Sequence, residues 1–109
     1  MKDNLKIITD LKKTYLYLDK IVSNYPNNEK VLKDKIRSNM LEVIEICYLA
    51  NELNDRKLLQ KKVIIKMKMI DFYFKISLDK KYINYKKYLK ISNYLLNILK
   101  ELYGWIKYE

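Results

Sequence analysis

A single proline, Pro26, and a single glycine, Gly104, occur in this chain of 109 residues. Tight turns, β-bulges and phosphate-binding loops depend on these residue types, because proline presets φ and glycine reaches positive φ without strain. A sheet or a nucleotide-cradling loop is therefore not expected. The scarcity of both residues predicts an all-α fold.

The spacing of apolar residues predicts the helices. In three segments the seam residues recur at alternating gaps of three and four, which places them on one helical face. They are Ile8, Leu11, Tyr15, Leu18, Val22 and Tyr25 in a first helix over about 4–24, Ile36, Met40, Val43, Cys47 and Ala50 in a second, and Tyr88, Ser92, Leu95, Leu99, Leu102 and Ile106 in the last.

A third helix lies between the second and the last, and its apolar residues cover more than one face. They are Leu58, Leu59, Ile65, Met69, Ile70, Phe72 and Ile76. So broad an apolar surface predicts contacts on two sides, one inside a bundle and one with another subunit.

Local residue types indicate where the helices break. Pro26 cannot continue a helix, and Asn27 or Asn28 can cap the second one. A turn is expected at 54–55, and Asn84 is the predicted N-cap of the last helix. Four helices with short connections predict an antiparallel up-down-up-down four-helix bundle, formed as one domain over 1–109.

Most catalytic chemistry is missing from the composition. The chain has no histidine, the usual proton shuttle and metal ligand, and one cysteine, Cys47, whose apolar neighbours predict a core thiol. Glu42, Glu45 and Glu52 follow one side of the second helix and suit a solvated or subunit-facing surface better than a metal site. We expect a protein that is not an enzyme, with no metal, cofactor or small-molecule substrate.

Membrane and export signals are also absent from the sequence. No apolar run approaches the roughly 20 residues that a membrane span needs. The N-terminal residues lack the apolar core of a signal peptide. These observations predict a cytoplasmic protein that does not enter a membrane.

The formal net charge of +10 is concentrated in one third of the chain. Residues 55–90 contain 12 basic and 3 acidic residues, whereas residues 1–54 contain 9 and 8. Lysine, isoleucine, tyrosine and asparagine, which have A/T-rich codons, supply 56 residues, so part of the charge can reflect genome composition. Uniform drift does not predict the concentration, which favours a nucleic-acid-binding surface.

The candidate nucleic-acid-binding residues are Arg56, Lys57, Lys61, Lys62, Lys66, Lys68, Lys75, Lys80, Lys81, Lys86, Lys87 and Lys90. Four of them recur at gaps of 4, 7 and 7 and form one row along the third helix: Lys57, Lys61, Lys68 and Lys75. Lys62 and Lys66 flank this row, and the others are predicted to extend it around the junction with the last helix.

Three tyrosines, Tyr82, Tyr85 and Tyr88, alternate with the lysines at this junction. Lysines contact phosphates and tyrosines stack on unpaired bases, a combination typical of proteins that bind single-stranded nucleic acid. The alternative is a solvated lysine face with buried tyrosines. Tyr88 fits the alternative, because it lies on the predicted seam.

Gly104 and Trp105 lie within the last helix. A helical glycine costs about 1 kcal/mol relative to alanine, so its presence predicts a close approach by another backbone or a large ring. Trp105 adds apolar area and an N–H group that needs a partner. We therefore expect both residues in a packing or oligomer contact.

Four segments together resemble the accessory variability determinant (Avd) family of diversity-generating retroelements, and the similarity covers nearly the whole chain. They are residues 25–29 (Tyr-Pro-Asn-Asn-Glu), 36–51, 83–92, and 102–107 with its Gly-Trp pair. The chain departs from the family in having Tyr103 where a second small residue is common, and lysine where arginine is frequent.

The resemblance implies a homopentameric, barrel-like assembly of four-helix protomers. It also implies a non-catalytic accessory role: binding a reverse transcriptase and its template RNA or cDNA through a basic surface, and supporting mutagenic reverse transcription. Two alternatives stay open. One is a related four-helix protein encoded in an intervening sequence of ribosomal RNA, and the other is an oligomeric scaffold that binds only protein.

Overall fold

The computed structural model describes residues 2–53 and 56–107, with side chains at 6–53 and 56–105. Four helices cover most of these residues: α1 (Lys2–Val22), α2 (Lys30–Glu52), α3 (Lys57–Asp79) and α4 (Tyr85–Lys107). No strand occurs among the residues described. The predicted all-α fold is confirmed, and so is the number of helices.

Each helix packs against two others, in the order α1–α2–α3–α4 and back to α1. The resulting four-helix bundle measures 43 × 23 × 20 Å. Asp19, near the end of α1, accepts a hydrogen bond from Arg37 Nε, near the start of α2, at 2.6 Å. Lys6, near the start of α1, pairs with Glu101, near the end of α4. Helix α1 is therefore antiparallel to both of its neighbours. None of the described helices has a stretch long and apolar enough to span a bilayer.

The predicted seam of α2 is confirmed in full, since all five of its residues are at most 1% exposed. In α1, Leu11, Leu18 and Val22 are buried as predicted, whereas Ile7 and Thr14, rather than Ile8 and Tyr15, complete the buried face. Tyr25 is buried just after α1. Periodicity therefore located the inward faces of the first two helices correctly.

The predicted seam of α4 is correct at Leu95 and Leu102, which are at most 2% exposed, and is one residue off at two other positions. Ile91 and Ile98 are at most 2% exposed, whereas Ser92 and Leu99 line a groove beside α3 and are half-buried. Ile91 and Ser92 both fit a pattern with gaps of three and four, and so do Ile98 and Leu99. The buried stripe of a bundle helix is wide, so periodicity alone does not decide between such adjacent residues. Ile106 lies outside the described side chains.

The predicted cap of α4 is confirmed, because Asn84 Oδ1 accepts a hydrogen bond from the Lys87 backbone N–H at 2.7 Å. The predicted cap of α2 is wrong. Glu29, and neither Asn27 nor Asn28, occupies the N-cap position, and its side chain makes no capping hydrogen bond. The predicted turn at 54–55 lies outside the described residues.

Glu29 instead connects the α1–α2 turn with the α3–α4 turn, at one end of the bundle. Its Oε1 accepts hydrogen bonds from Lys80 Nζ at 2.7 Å and from Tyr82 Oη at 2.8 Å. The Tyr82 ring lies 5.0 Å from the ring of Tyr25, which precedes the single proline. These two donors, Lys80 first, lower the pKa of the Glu29 carboxyl. The α1–α2 turn is therefore tied to the end of α3.

Candidate nucleic-acid interface

The apolar residues of α3 do occupy two faces, as their spacing predicted. The inner face contains Val63, Met67, Ile70 and Phe74, all 0% exposed. On the outer face, Leu58 is 77%, Ile65 61%, Met69 39% and Phe72 51% exposed. We call these four residues the outer apolar stripe. So much exposed aliphatic and aromatic surface on one helix indicates a binding surface.

Lysines flank the outer apolar stripe on both sides. Lys57, Lys61, Lys68 and Lys75 are exposed and lie on the edge of α3 that faces α4. Lys62 and Lys66 lie on the opposite edge, where Lys66 Nζ pairs with Glu42 Oε2 of α2 at 2.6 Å. The predicted row of four lysines is therefore present on the folded helix, with the two flanking lysines across the stripe from it.

A groove of about 420 Å³ separates α3 from α4 along this edge. Phe72, Leu96 and Leu99 give it apolar walls, and Lys68 and Lys75 stand at its rim. The groove extends the outer apolar stripe onto α4, where Leu96 is 49% exposed.

Three candidate lysines are engaged by carboxylates. Lys66 pairs with Glu42, Lys80 with Glu29, and Lys75 with Asp71 at 3.3 Å. Within the described part of the chain, the remaining candidate lysines have no carboxylate within 4.0 Å: Lys57, Lys61, Lys62, Lys68, Lys81, Lys86, Lys87 and Lys90. These ammonium groups are open to an anionic partner.

Arg56 lies outside the row, at the N-cap position of α3. Its Nη1 donates to the backbone carbonyl of Asn51 at 3.5 Å, which ties the start of α3 to the end of α2. The guanidinium therefore has a structural contact at the α2–α3 connection.

The structure divides the predicted extension of the basic row. Lys80 is held by Glu29, and Lys81 occupies the left-handed region with φ 67° in the turn after α3. Lys87 and Lys90 lie on the far side of α4, where their Nζ atoms are 5.9 and 6.0 Å from the ring centroid of Tyr17 in α1. Lys86, which is exposed, lies on the same side by its helical position. The expected continuous ridge around the junction is therefore wrong.

Two of the three junction tyrosines have structural partners. Tyr82 donates to Glu29, and Tyr88 Oη donates to Asp71 Oδ1 at 2.9 Å. Burial, followed by the hydrogen bond to Asp71, raises the pKa of Tyr88 to about 12. Tyr85 is 63% exposed. The interpretation of Tyr88 as a packing residue is confirmed. Of the three junction tyrosines Tyr85 is the most exposed, and its ring centroid lies 6.4 Å from that of Tyr88.

Sequence reasoning missed a pair of stacked tyrosines between α1 and α4. The rings of Tyr17 and Tyr94 have centroids 4.4 Å apart and planes inclined by 24°. Tyr17 was outside the predicted seam of α1, and Tyr94 was outside that of α4. Helical periodicity places each tyrosine beside the buried face of its own helix. Whether the two rings stack depends on which helices are neighbours, and periodicity does not give this.

A charged cluster lies beside these tyrosines, between α1 and α4, and consists of Lys6, Asp10 and Glu101. Lys6 Nζ lies 2.7 Å from Asp10 Oδ2 and also pairs with Glu101. Burial and then Asp10 raise the pKa of Glu101, while hydrogen bonds from Glu101 and Lys6 lower the pKa of Asp10. The unequal pKa shifts reflect two carboxyl groups that share one neighbouring ammonium group.

Cys47 is 1% exposed, and burial raises the pKa of its thiol to about 12. The prediction of a core thiol is confirmed. Among the described residues, no three or more histidine, cysteine, aspartate or glutamate side chains are grouped closely enough to hold a metal ion. Glu42 is held by Lys66, and Glu45 and Glu52 are exposed.

The predicted close contact at Gly104 is not found within the protomer. A Cβ atom added there would meet no described atom within 4 Å. Trp105 is 9% exposed and belongs to the core, so the packing expected of it is confirmed. Its indole N–H has no hydrogen-bond partner among the described residues.

Comparisons of this chain with models of protein families, with curated proteins and with solved structures found no match.

Proposed function

We propose that this chain is a non-catalytic, oligomeric protein that binds nucleic acid. The observation that carries the proposal is the outer face of α3, where the outer apolar stripe is bordered by lysines on both edges. An apolar centre with a charged rim suits protein association at the centre and phosphate contacts around it.

The partner of the apolar centre, in this proposal, is a second copy of the chain. Glu45 and Glu52 are exposed on α2 and provide negative charge that complements Lys62, on the edge of α3 that faces α2, and the lysine row on the other edge stays open. Repetition of one such contact between copies produces a closed ring when the rotation closes. The family resemblance supports five subunits.

The nucleic-acid partner follows from the lysines without carboxylate partners. Lys61 and Lys68 are exposed on one row, so a phosphate backbone can follow them along the helix. In an assembly of several protomers, each with a net charge of +10, the local potential rises with subunit number. The resemblance to Avd proteins further supports template RNA or cDNA as ligand and a reverse transcriptase as protein partner.

Charge reversal in the row tests the nucleic-acid part of the proposal. We expect a Lys61→Glu/Lys68→Glu/Lys75→Glu variant to bind single-stranded RNA more weakly in filter-binding titrations. The slope of log affinity against log salt should fall by about 0.7 per lost phosphate contact.

A matched variant separates this local effect from net charge. Lys12→Glu, Lys20→Glu and Lys30→Glu alter three exposed lysines of α1 and α2 and change the net charge equally. We expect the control variant to retain most of the affinity and the salt slope. Equal losses in the two variants would exclude a site on α3.

One alternative function is favoured by a specific observation. The extent of exposed apolar surface, with Leu58 at 77%, also suits an oligomeric scaffold that binds protein alone. Stable assembly without measurable RNA or DNA binding would support the scaffold. A reverse-transcriptase gene and template repeat beside this gene would support the retroelement role, and location inside a ribosomal RNA gene would support the intervening-sequence protein.

A further inference from the structure

The surface between α1 and α4, called the α1–α4 flank below, presents stacked tyrosine rings, whereas the outer face of α3 presents the phenylalanine ring of Phe72. Tyr94 stacks on Tyr17 at 4.4 Å and remains 38% exposed. Two ammonium groups, those of Lys87 and Lys90, lie about 6 Å from the Tyr17 ring centroid. In the described part of the chain neither lysine has a carboxylate within 4.0 Å.

A groove of about 430 Å³ adjoins the stacked pair. Tyr94, Lys13 and Asn97 line it, and the Lys6–Asp10–Glu101 cluster stands beside them. Its volume falls in the range of small-molecule pockets, which runs from about 300 to 1,000 Å³. The exposed amide of Asn97 offers both a donor and an acceptor to a ligand.

From this arrangement we propose that the α1–α4 flank is a binding subsite for an unpaired nucleotide. The base stacks on Tyr94 within the groove, and the adjoining phosphates contact Lys87 and Lys90. The inference deepens the proposed function, because it assumes that the protein binds nucleic acid.

The distribution of charge sets this orientation. Lys6 pairs with both Asp10 and Glu101, and Lys13 is the other cation of the groove, so these four groups carry no net formal charge. Among the described residues Lys87 and Lys90 have no such carboxylate partners, so the backbone phosphates lie towards these two lysines. The carboxylates of Asp10 and Glu101 tolerate a neutral base, whose exocyclic amino group can donate to an oxygen atom. A duplex hides its base faces by stacking and cannot use this ring, so the subsite is selective for single strands.

The subsite is also compatible with assembly. The outer apolar stripe lies on α3, whereas the stacked tyrosines lie between α1 and α4. A second copy seated on the stripe therefore leaves the tyrosine flank open to RNA. The α3 lysines then contribute electrostatic attraction, and the α1–α4 flank distinguishes paired from unpaired strands.

The test compares Tyr94→Leu with the unaltered chain, using a single-stranded RNA that contains a fluorescent adenine analogue. Base stacking on an aromatic ring contributes about 1–3 kcal/mol. We expect the variant to bind this RNA about tenfold more weakly and to lose the quenching caused by stacking, with little change for duplex RNA. Tyr94→Phe, which keeps the ring, should retain both properties.

Tyr103→Leu is the matched control, because Tyr103 is a 50% exposed tyrosine on the same helix and away from the flank. Circular dichroism melts verify that all variants fold. If Tyr94→Leu matches the original protein in affinity and quenching while charge reversal on α3 weakens binding, the subsite is wrong and the proposed function stands. If the original protein binds no RNA or DNA, both proposals are wrong.

Discussion

The two faces of α3 have similar composition and opposite surroundings. Phe74 on the inner face is 0% exposed, whereas Phe72, two residues earlier, is 51% exposed. Met67 and Met69 form a second such pair, at 0% and 39%. The outer face adds nothing to the core of its own bundle, and this contrast supports the proposal that α3 meets a partner.

The largest expected difference between the two faces concerns stability. We expect Phe74→Ala to lower the free energy of unfolding by about 3–5 kcal/mol, because it removes a buried ring and leaves a cavity. Phe72→Ala should change it by less than about 0.5 kcal/mol. Urea titrations of dilute protein, followed by circular dichroism, measure both values. Similar losses at the two positions would abolish the distinction between the faces.

The second expected effect concerns assembly. We expect the original chain to have a mass several times its 13.3 kDa in light scattering at micromolar concentration. Met69→Glu combined with Phe72→Glu should reduce the mass to one protomer, because it introduces two negative charges into the outer apolar stripe. The control, Leu16→Glu with Leu41→Glu, alters residues of 56% and 50% exposure on α1 and α2.

The oligomer proposal can also fail before any substitution is made. A monomeric mass for the original chain would refute it. Equal dissociation of the two double variants would move the interface away from α3.

The smallest expected effect comes from Gln60, a polar residue on the inner face of α3. Gln60 is 0% exposed, and neither its Nε2 nor its Oε1 has a hydrogen-bond partner among the described residues. A buried amide without partners costs about 1–3 kcal/mol. Gln60→Met keeps the approximate volume without the amide, and we expect it to raise the free energy of unfolding by about 1 kcal/mol in urea titrations. A decrease would show that Gln60 has a polar partner.

Much of the fold followed from periodicity and from a few special residues. Pro26 ended the first helix region, Asn84 capped α4, and the α2 seam was correct at every position. The same reasoning failed at Glu29. Helix propensity predicted an asparagine cap, but the carboxylate is engaged by Lys80 and Tyr82 from a distant part of the chain. A local rule cannot include a partner some 50 residues away.

The candidate site was predictable in part for the same reason. Lys57, Lys61 and Lys68 share one row because their spacing alone determines their helical face. Lys87 and Lys90 were assigned to that row by proximity in sequence, yet they lie beside Tyr17. Residues close to a helix junction can point to opposite flanks, and the neighbouring helices decide which surface they join.

By itself the sequence determined that the chain is helical, that α3 carries a second apolar face, and that one third of the chain holds most of the positive charge. Only the tertiary structure decided which charges are neutralised, that Gly104 has no close neighbour within the protomer, and that Tyr17 meets Tyr94. The physical reason is that periodicity reports the position of a residue around its own helix, whereas burial, ion pairing and ring stacking depend on the helix beside it.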